Sequence, residues 1–177
     1  MNKQSSLAWD PADVSSAVRD EELSFLIQRC LSGDEAAYVI LYERHASLLY
    51  RLAYSLLQNR EDAEEVLQDS FEYAFRKLAN YDDRKSAFSS WLYRITVSRC
   101  RNKRRRKWLP TSPLSLLTPQ GINDVDAAAP DELLEQTEQQ QDVWAALGQL
   151  SPKLRETAVL RYYYGLQYKE IGQILSI

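Results

Sequence analysis

"EDAEEVLQDSFEYAFRKL", residues 61–78, carries two stripes on one helical repeat. Ala63, Val66, Leu67, Ser70, Phe71, Ala74, Phe75 and Leu78 recur at intervals of three and four, the spacing that lines one face of an α-helix. Glu61, Glu64, Glu65, Gln68, Asp69 and Glu72 fall on the other face. An acidic face of this kind serves equally as a solvated surface. If it binds anything, the partner is a basic protein surface and not phosphate, and charge complementarity would set specificity and association rate.

The same periodicity extends outward. Residues 1–19 are polar and pattern-free, and are expected to form a flexible tail. From Glu21, Leu23, Leu26, Ile27, Cys30 and Leu31 mark a first helix, broken by "SGD" (32–34) with Asp34 as N-cap of the next. That second helix carries Tyr38, Leu41, Tyr42, His45, Leu48, Leu49, Leu52 and Leu56 on one side. After "NYDDRKS" (80–86), a fourth helix starts near Ala87 with Phe88, Trp91, Leu92 and Ile95 inward. Four such helices can bury a core of their own.

Residues 109–130 hold four of the six prolines, a linker composition. A second helical unit follows, with Leu133, Leu134, Val143, Trp144, Leu147 and Leu150 on one helix. Ser151 and Pro152 open another, which runs through Leu154, Ala158, Val159 and Tyr162 to a stop at Gly165. "LQYKEIGQILSI" (166–177) reads as the first half of a helix-turn-helix, with Tyr168, Glu170, Ile171, Gly172 and Leu175 in its helix. The expected architecture is all-α: 1–19 tail, 20–107 four-helix domain, 108–130 linker, 131–177 second helical domain.

Charge is unevenly distributed in these 177 residues of formal net charge −3. Ten of the 22 Lys and Arg lie within 84–107, while 108–152 has seven acids and no Lys or Arg. Arg99, Arg101 and Lys103 to Lys107 place seven cations in nine residues. A helix C-terminus favours one or two cations; this density fits a polyanion, whose phosphates release counterions when neutralised. Upstream, Tyr81, Phe88, Trp91 and Tyr93 interleave with Arg84, Lys85 and Arg94. Flat rings beside cations suit single-stranded bases, although Phe88 and Trp91 also fit a core.

Catalytic readings find no support. There is no Gly-rich phosphate loop, no Ser/His/Asp set and no paired carboxylates beside a nucleophile. One histidine (His45) and two distant cysteines (Cys30, Cys100) make no metal-ligand set, and no cofactor is expected. His45 reads as packing, the cysteines as idle thiols in a reducing cytosol. No run is long and apolar enough to span a bilayer, and no secretion signal opens the chain.

"LYERHASLLYRLAYSLLQNREDAEEVLQDSFEYAFRKLANYD" (41–82) with "SAFSSWLYRITVSRCRN" (86–102) resembles region 2 of bacterial sigma factors of the extracytoplasmic-function group. "LGQLSPKLRETAVLRYYYGLQYKEIGQIL" (147–175) resembles the start of region 4. The resemblance implies a non-enzymatic, cytoplasmic transcription factor that binds core RNA polymerase and directs promoter recognition and melting. Asp62, Glu65, Gln68 and Asp69, with Phe71 beneath, would dock on the β′ clamp helices. The loop Tyr81–Ser90 would capture a base flipped from the −10 strand. The helix through Trp91, Arg94, Arg99, Arg101, Lys103, Arg104, Arg105 and Arg106 would line and melt the −10 duplex, with Arg84 and Lys85 nearby. The linker would thread toward the RNA exit path. Region 4 would sit on the β flap and read the −35 element, and an anti-sigma factor is a further partner class.

Three positions depart from the family pattern. Ser98 stands where asparagine is frequent. Gln167 replaces Ser or Thr as N-cap, a weaker cap by about 1 kcal/mol. The stretch stops at Ser176 and Ile177, before the recognition helix that would enter a major groove. The alternatives are a helix-turn-helix regulator, whose DNA contacts would lie near the C-terminus, and a polymerase-binding protein without melting activity.

Overall fold

The computed structural model describes residues 11–108 and 138–176. Their regular elements are all helical, as expected: α1 (Pro11–Leu31), α2 (Glu35–Leu57), α3 (Arg60–Arg76), a 3-10 turn (Leu78–Asn80), α4 (Phe88–Trp108), α5 (Glu138–Gln149), α6 (Pro152–Ala158), a π-helical turn (Val159–Tyr163) and α7 (Tyr168–Leu175). Most of the expected linker, together with Leu133 and Leu134, lies outside the described residues. Residues 11–19, expected in a loose tail, are instead helical. Proline suits the first turn, where its missing N–H would have no intrahelical acceptor, but the segment has no apolar period to announce it.

Two compact units divide the chain, Met1–Glu43 and Arg44–Ile177. The division falls inside α2 and not at the proline-rich segment. In the first unit Leu26, Ile27, Cys30, Ala37 and Leu41 are buried, while Leu31 is 45% exposed. Asp34 caps α2 as predicted, its Oδ1 accepting the Ala36 N–H at 3.0 Å. Its other oxygen stands 2.6 Å from Arg29 Nη2.

The second unit is built on α3 and α4, which pack along their length. Leu49, Leu52, Ala53 and Leu56 of α2, Ala63, Val66, Phe71 and Ala74 of α3, Leu78 beyond it, and Leu92, Ile95, Val97 and Cys100 of α4 are buried. The buried hydroxyls of Ser55, Ser70 and Thr96 donate to the Arg51, Val66 and Leu92 carbonyls one turn back, so none is left unpaired. Gln58, at φ 51°, turns the chain from α2 into α3. Asn59 then caps α3, accepting the Asp62 N–H at 2.9 Å.

The face predicted for α6 is corrected. Leu154 and Tyr162 are 60% and 84% exposed, whereas Glu156, Val159 and Leu160 are buried. Leu154 lies across the helix from Glu156, so turning Glu156 inward turns Leu154 out. The π-helical turn, where the Tyr164 N–H reaches the Val159 carbonyl at 3.3 Å, adds a residue to one turn and shifts the face beyond it. Gly165 ends the segment at φ +66°. Glu170 reaches back to the Gln167 N–H at 2.8 Å, which supports the start of α7 despite its glutamine. Ile171, Ile174 and Leu175 are buried on α7, which packs on α4.

Candidate functional site

α4 is the spine of the site. It carries buried side chains through Cys100 and cations from Arg94 to Lys107. Those cations do not form one free surface. Arg94, Arg105 and Arg106 are exposed. Arg99 lies over the Tyr73 ring, 4.4 Å from its centroid, a cation–π contact with α3. Arg84 and Lys85, in the loop before α4, both pair with Asp82, at 3.0 and 3.4 Å. The Arg84 hydrogen bond holds the Asp82 carboxyl below the usual aspartate range.

Arg101 and Arg104 converge on Glu156, which is 1% exposed. Arg101 donates from Nη2 and Nε to Glu156 Oε2 at 2.7 and 3.1 Å, and from Nη1 to the Leu175 carbonyl at 3.1 Å. Arg104 Nη2 donates to Glu156 Oε1 at 2.5 Å. A buried carboxylate is tolerated where it is paired and hydrogen-bonded, and two guanidiniums on its two oxygens provide this. Arg155, next in sequence, turns away to cap helix ends, donating to the Leu147, Gly148 and Leu150 carbonyls at 2.7, 2.6 and 3.3 Å and to the Leu56 carbonyl at 3.2 Å.

The acidic stripe is likewise not separate from the basic run. Asp62 is 8% exposed, unlike its neighbours on the stripe. Lys107 Nζ lies 2.5 Å from its Oδ2, and Lys103 Nζ 3.5 Å from Oδ1 while also bonding Glu65. The Glu65 bond raises the Lys103 pKa above the ordinary lysine value. Leu57, Gln58, Asn59, Asp62, Lys103, Arg104 and Lys107 together line a cavity of about 320 Å³. Gln68 is exposed, Asp69 half-buried, and Phe71 is buried beneath them, its ring 5.4 Å from Phe75. Of the predicted stripe, Glu65, Gln68 and Asp69 present side chains outward, and Asp62 is drawn inward.

Three of the four predicted aromatics gather, while Tyr93 is buried away from them with its ring against Tyr164. Tyr81 stands edge-on to Phe88 at 5.1 Å and tilted against Trp91 at 5.4 Å, and Phe88 lies 5.5 Å from Trp91. Phe88 and Trp91 are buried and Tyr81 is half-buried, so the tyrosine is the ring of the three that reaches solvent most. Its hydroxyl donates to the Ser86 carbonyl at 3.1 Å, which fastens the loop across its own base. His45 packs edge-on to Phe88 at 5.3 Å, and burial lowers its pKa to about 4. Packing is therefore its observed role. Burial pushes the Cys100 thiol up to about 12, so it is inert at neutral pH.

Among the helix-turn-helix residues, Ile171 and Leu175 are buried, Tyr168 is 69% exposed, and Glu170 and Gly172 are half-buried. Arg161 lies over the Tyr168 ring at 5.0 Å. Sequence reasoning missed Glu156, Tyr73 and Tyr164, the last of which meets the Tyr93 ring at 4.9 Å. One signal was present. Glu156 precedes Val159 and Leu160 by three and four residues, an acid on an apolar face.

No described helix is long and apolar enough to cross a membrane. The sigma-70 region 2 family model matches residues 41–109. The chain is 35% identical over 152 residues to the ECF RNA polymerase sigma factor SigE of Mycolicibacterium smegmatis, covering 82% of this chain but 57% of that protein, little more than half of its length. It is 29% identical to the ECF RNA polymerase sigma factor SigW of Bacillus subtilis (85% and 83% covered) and 32% identical to the ECF RNA polymerase sigma-E factor of Salmonella typhi (85% and 81%). Two solved structures share the fold. CnrH, in complex with the cytosolic domain of CnrY, superposes at TM-score 0.59 with 24% identity over 86% of this chain and 82% of that one. The sigma factor RpoE, in complex with the anti-sigma factor NepR from Bartonella quintana, superposes at 0.63 with 21% identity over 78% and 82%. With a region 2 signature on the acidic and basic helices, and a relative at 32% identity matched over four-fifths of its length, the chain belongs to the ECF RNA polymerase sigma factors of the sigma-70 family.

Proposed function

We propose that this chain binds core RNA polymerase and promoter DNA through different side chains of the α3–α4 pair. Glu65, Gln68 and Asp69, set over buried Phe71, form the docking face toward the basic β′ clamp helices. Asp62 acts from behind it, positioning Lys103 and Lys107. Tyr81, backed by Phe88 and Trp91, stacks on a −10 base drawn from the duplex, and Arg94, Arg105 and Arg106 engage the backbone. Residues 20–107 make up the region 2 part and 131–177 the region 4 part, which meets the β flap. An anti-sigma factor is a further partner class, in keeping with the structural neighbour RpoE, which is bound to one.

The observation that carries this reading is the aromatic cluster at the head of the cation-rich helix. Extracting a base costs a few kcal/mol, and stacking on an aromatic ring returns about 1–3 kcal/mol. The test is promoter opening, followed with a fluorescent base analogue in the −10 strand, by core polymerase with and without this chain. Opening is expected only with the chain, and is lost in Glu65→Lys with Asp69→Lys because core binding is lost. Opening by core polymerase alone, or core binding unaffected by the double reversal, would count against the assignment.

A further inference from the structure

We infer that Asp82 is a specificity-determining residue of the loop that presents Tyr81: it ties Arg84 and Lys85 to the loop itself, so that the loop favours an unpaired base over duplex phosphate. The inference rests on the reading of Tyr81 as the ring that stacks on a −10 base. The side chains of Arg84 and Lys85 are 87% and 81% exposed, yet both are turned onto one carboxylate. Asp82 Oδ1 accepts the Arg84 Nε–H at 3.0 Å, and its Oδ2 meets Arg84 Nη2 and Lys85 Nζ, each at 3.4 Å. Oδ1 also accepts the Arg84 backbone N–H at 3.2 Å, and the Asp82 carbonyl accepts the Lys85 N–H at 3.1 Å. Asp82 therefore starts the turn, as aspartate does by bonding the backbone two residues on, and is the counter-ion of both cations in it. The Tyr81 hydroxyl on the Ser86 carbonyl closes the loop around this turn, so the ring and the two cations share one small frame.

Exposed ion pairs add little to stability, so the consequence lies in what the two cations can reach. A phosphate contact strengthens binding to any duplex and distinguishes neither sequence nor an unpaired base. Two free cations beside Tyr81 would hold a closed duplex against the loop. A carboxylate between them removes that attraction and sets a negative charge where phosphates would approach. The duplex loses more by this than a single strand does, since each contact contributes about 0.9 to its log–log salt slope against about 0.7. Specificity comes from weakening the wrong partner as well as from holding the right one. The Tyr81 ring does the second and Asp82 the first. Arg105 and Arg106 make the contrast at the other end of α4, where they are exposed and free of ion pairs among the described residues. Attraction to duplex phosphate is thereby kept away from the ring.

The test measures duplex affinity of the full chain as a function of salt, and affinity of the polymerase-bound chain for a single-stranded −10 oligonucleotide. Asp82→Asn keeps the turn acceptor and removes the charge, and Asp82→Ser does the same with a hydroxyl. Both should bind duplex more tightly than the parent chain, with a log–log salt slope steeper by about 1 to 2, and the ratio of single-strand to duplex affinity should fall. Adding Arg84→Ala and Lys85→Ala to either variant should return the slope to the parent's. Asp83→Asn removes the same charge from the exposed neighbouring residue, and should leave the slope unchanged. Parent-like slopes in both Asp82 variants overturn the inference, as does a gain that Asp83→Asn reproduces or that survives loss of Arg84 and Lys85. In each of those cases a Tyr81→Ala protein that still loses single-strand affinity leaves the base-stacking reading intact. Unchanged single-strand affinity in Tyr81→Ala overturns that reading, and the role of Asp82 with it.

Discussion

Lys107 Nζ lies 2.5 Å from Asp62 Oδ2, which ties the last turn of α4 to the first turn of α3. Asp62 sits where a carboxylate also favours the helix N-terminus, so one side chain serves the dipole and two lysines. Acidic and basic segments that looked like surfaces for separate partners are thereby fastened to each other.

Asp62→Ala is expected to destabilise the fold by about 1–2 kcal/mol, because it leaves two cations without their shared partner. For a chain of this size that corresponds to a melting point lower by roughly 3–6 °C. Asp69→Ala, on the half-buried part of the stripe, should shift stability by less than about 0.5 kcal/mol. Thermal melts followed by circular dichroism separate the two, and equal shifts would remove the distinction between a bridging and a surface acid.

Much of this was legible in residues 61–100. The three-four spacing of α3 and α4 places apolar groups inward whatever the rest of the chain does, and the aromatic cluster follows from Phe88 and Trp91 lying three apart. What could not be read was pairing across distance. Asp62 shares the polar composition of Glu61 and Glu64, and becomes buried only because Lys103 and Lys107 arrive over it. Glu156 likewise acquires its role from arginines more than fifty residues away. The exposed Leu154 and Tyr162 show the converse, since apolar spacing cannot foresee a π-helical turn or a buried ion pair beside it.

His45 makes folding sensitive to mild acid. Its imidazole takes a proton near pH 4 in the folded chain and near 6.5 when unfolded, so between these values the unfolded state binds more protons. Its contribution is fully present above pH 6.5 and is lost as pH falls toward 4, about 2 kcal/mol of it by pH 5. His45→Phe keeps a ring against Phe88 and cannot titrate. Urea unfolding at pH 7 and pH 5 should show the parent chain losing about 2 kcal/mol more than the variant, and equal losses would exclude His45 as the source.

Arg105 and Arg106 are exposed at the C-terminal end of α4, where no acid among the described residues pairs with them. Replacing both with Ala should weaken duplex binding alike for all sequences and flatten the log–log salt slope by about 1.8, two contacts at 0.9 each. Salt titrations on two unrelated duplexes provide the check. A loss confined to one sequence, with the slope unchanged, would mean that these side chains read base edges.

Tyr81 separates recognition of an unpaired base from simple attraction to phosphate. Its ring rests on Phe88 and Trp91 at 5.1 and 5.4 Å, and of the three it alone is half-buried where the others are buried. Tyr81→Ala should therefore cost one stacked base, about 1–3 kcal/mol, or roughly 5- to 150-fold in affinity for a single-stranded −10 oligonucleotide presented to the polymerase-bound chain. Tyr81→Phe keeps the ring and loses the hydroxyl bond to the Ser86 carbonyl, so it should fall much less. Duplex binding by the chain alone should change little in either variant, because phosphate contacts come from the arginines. The decisive comparison is the ratio of single-strand to duplex affinity across the three proteins. A Tyr81→Ala protein whose two affinities fall in parallel would show that the ring only supports the fold of the loop, and the base-stacking role would have to pass to another residue.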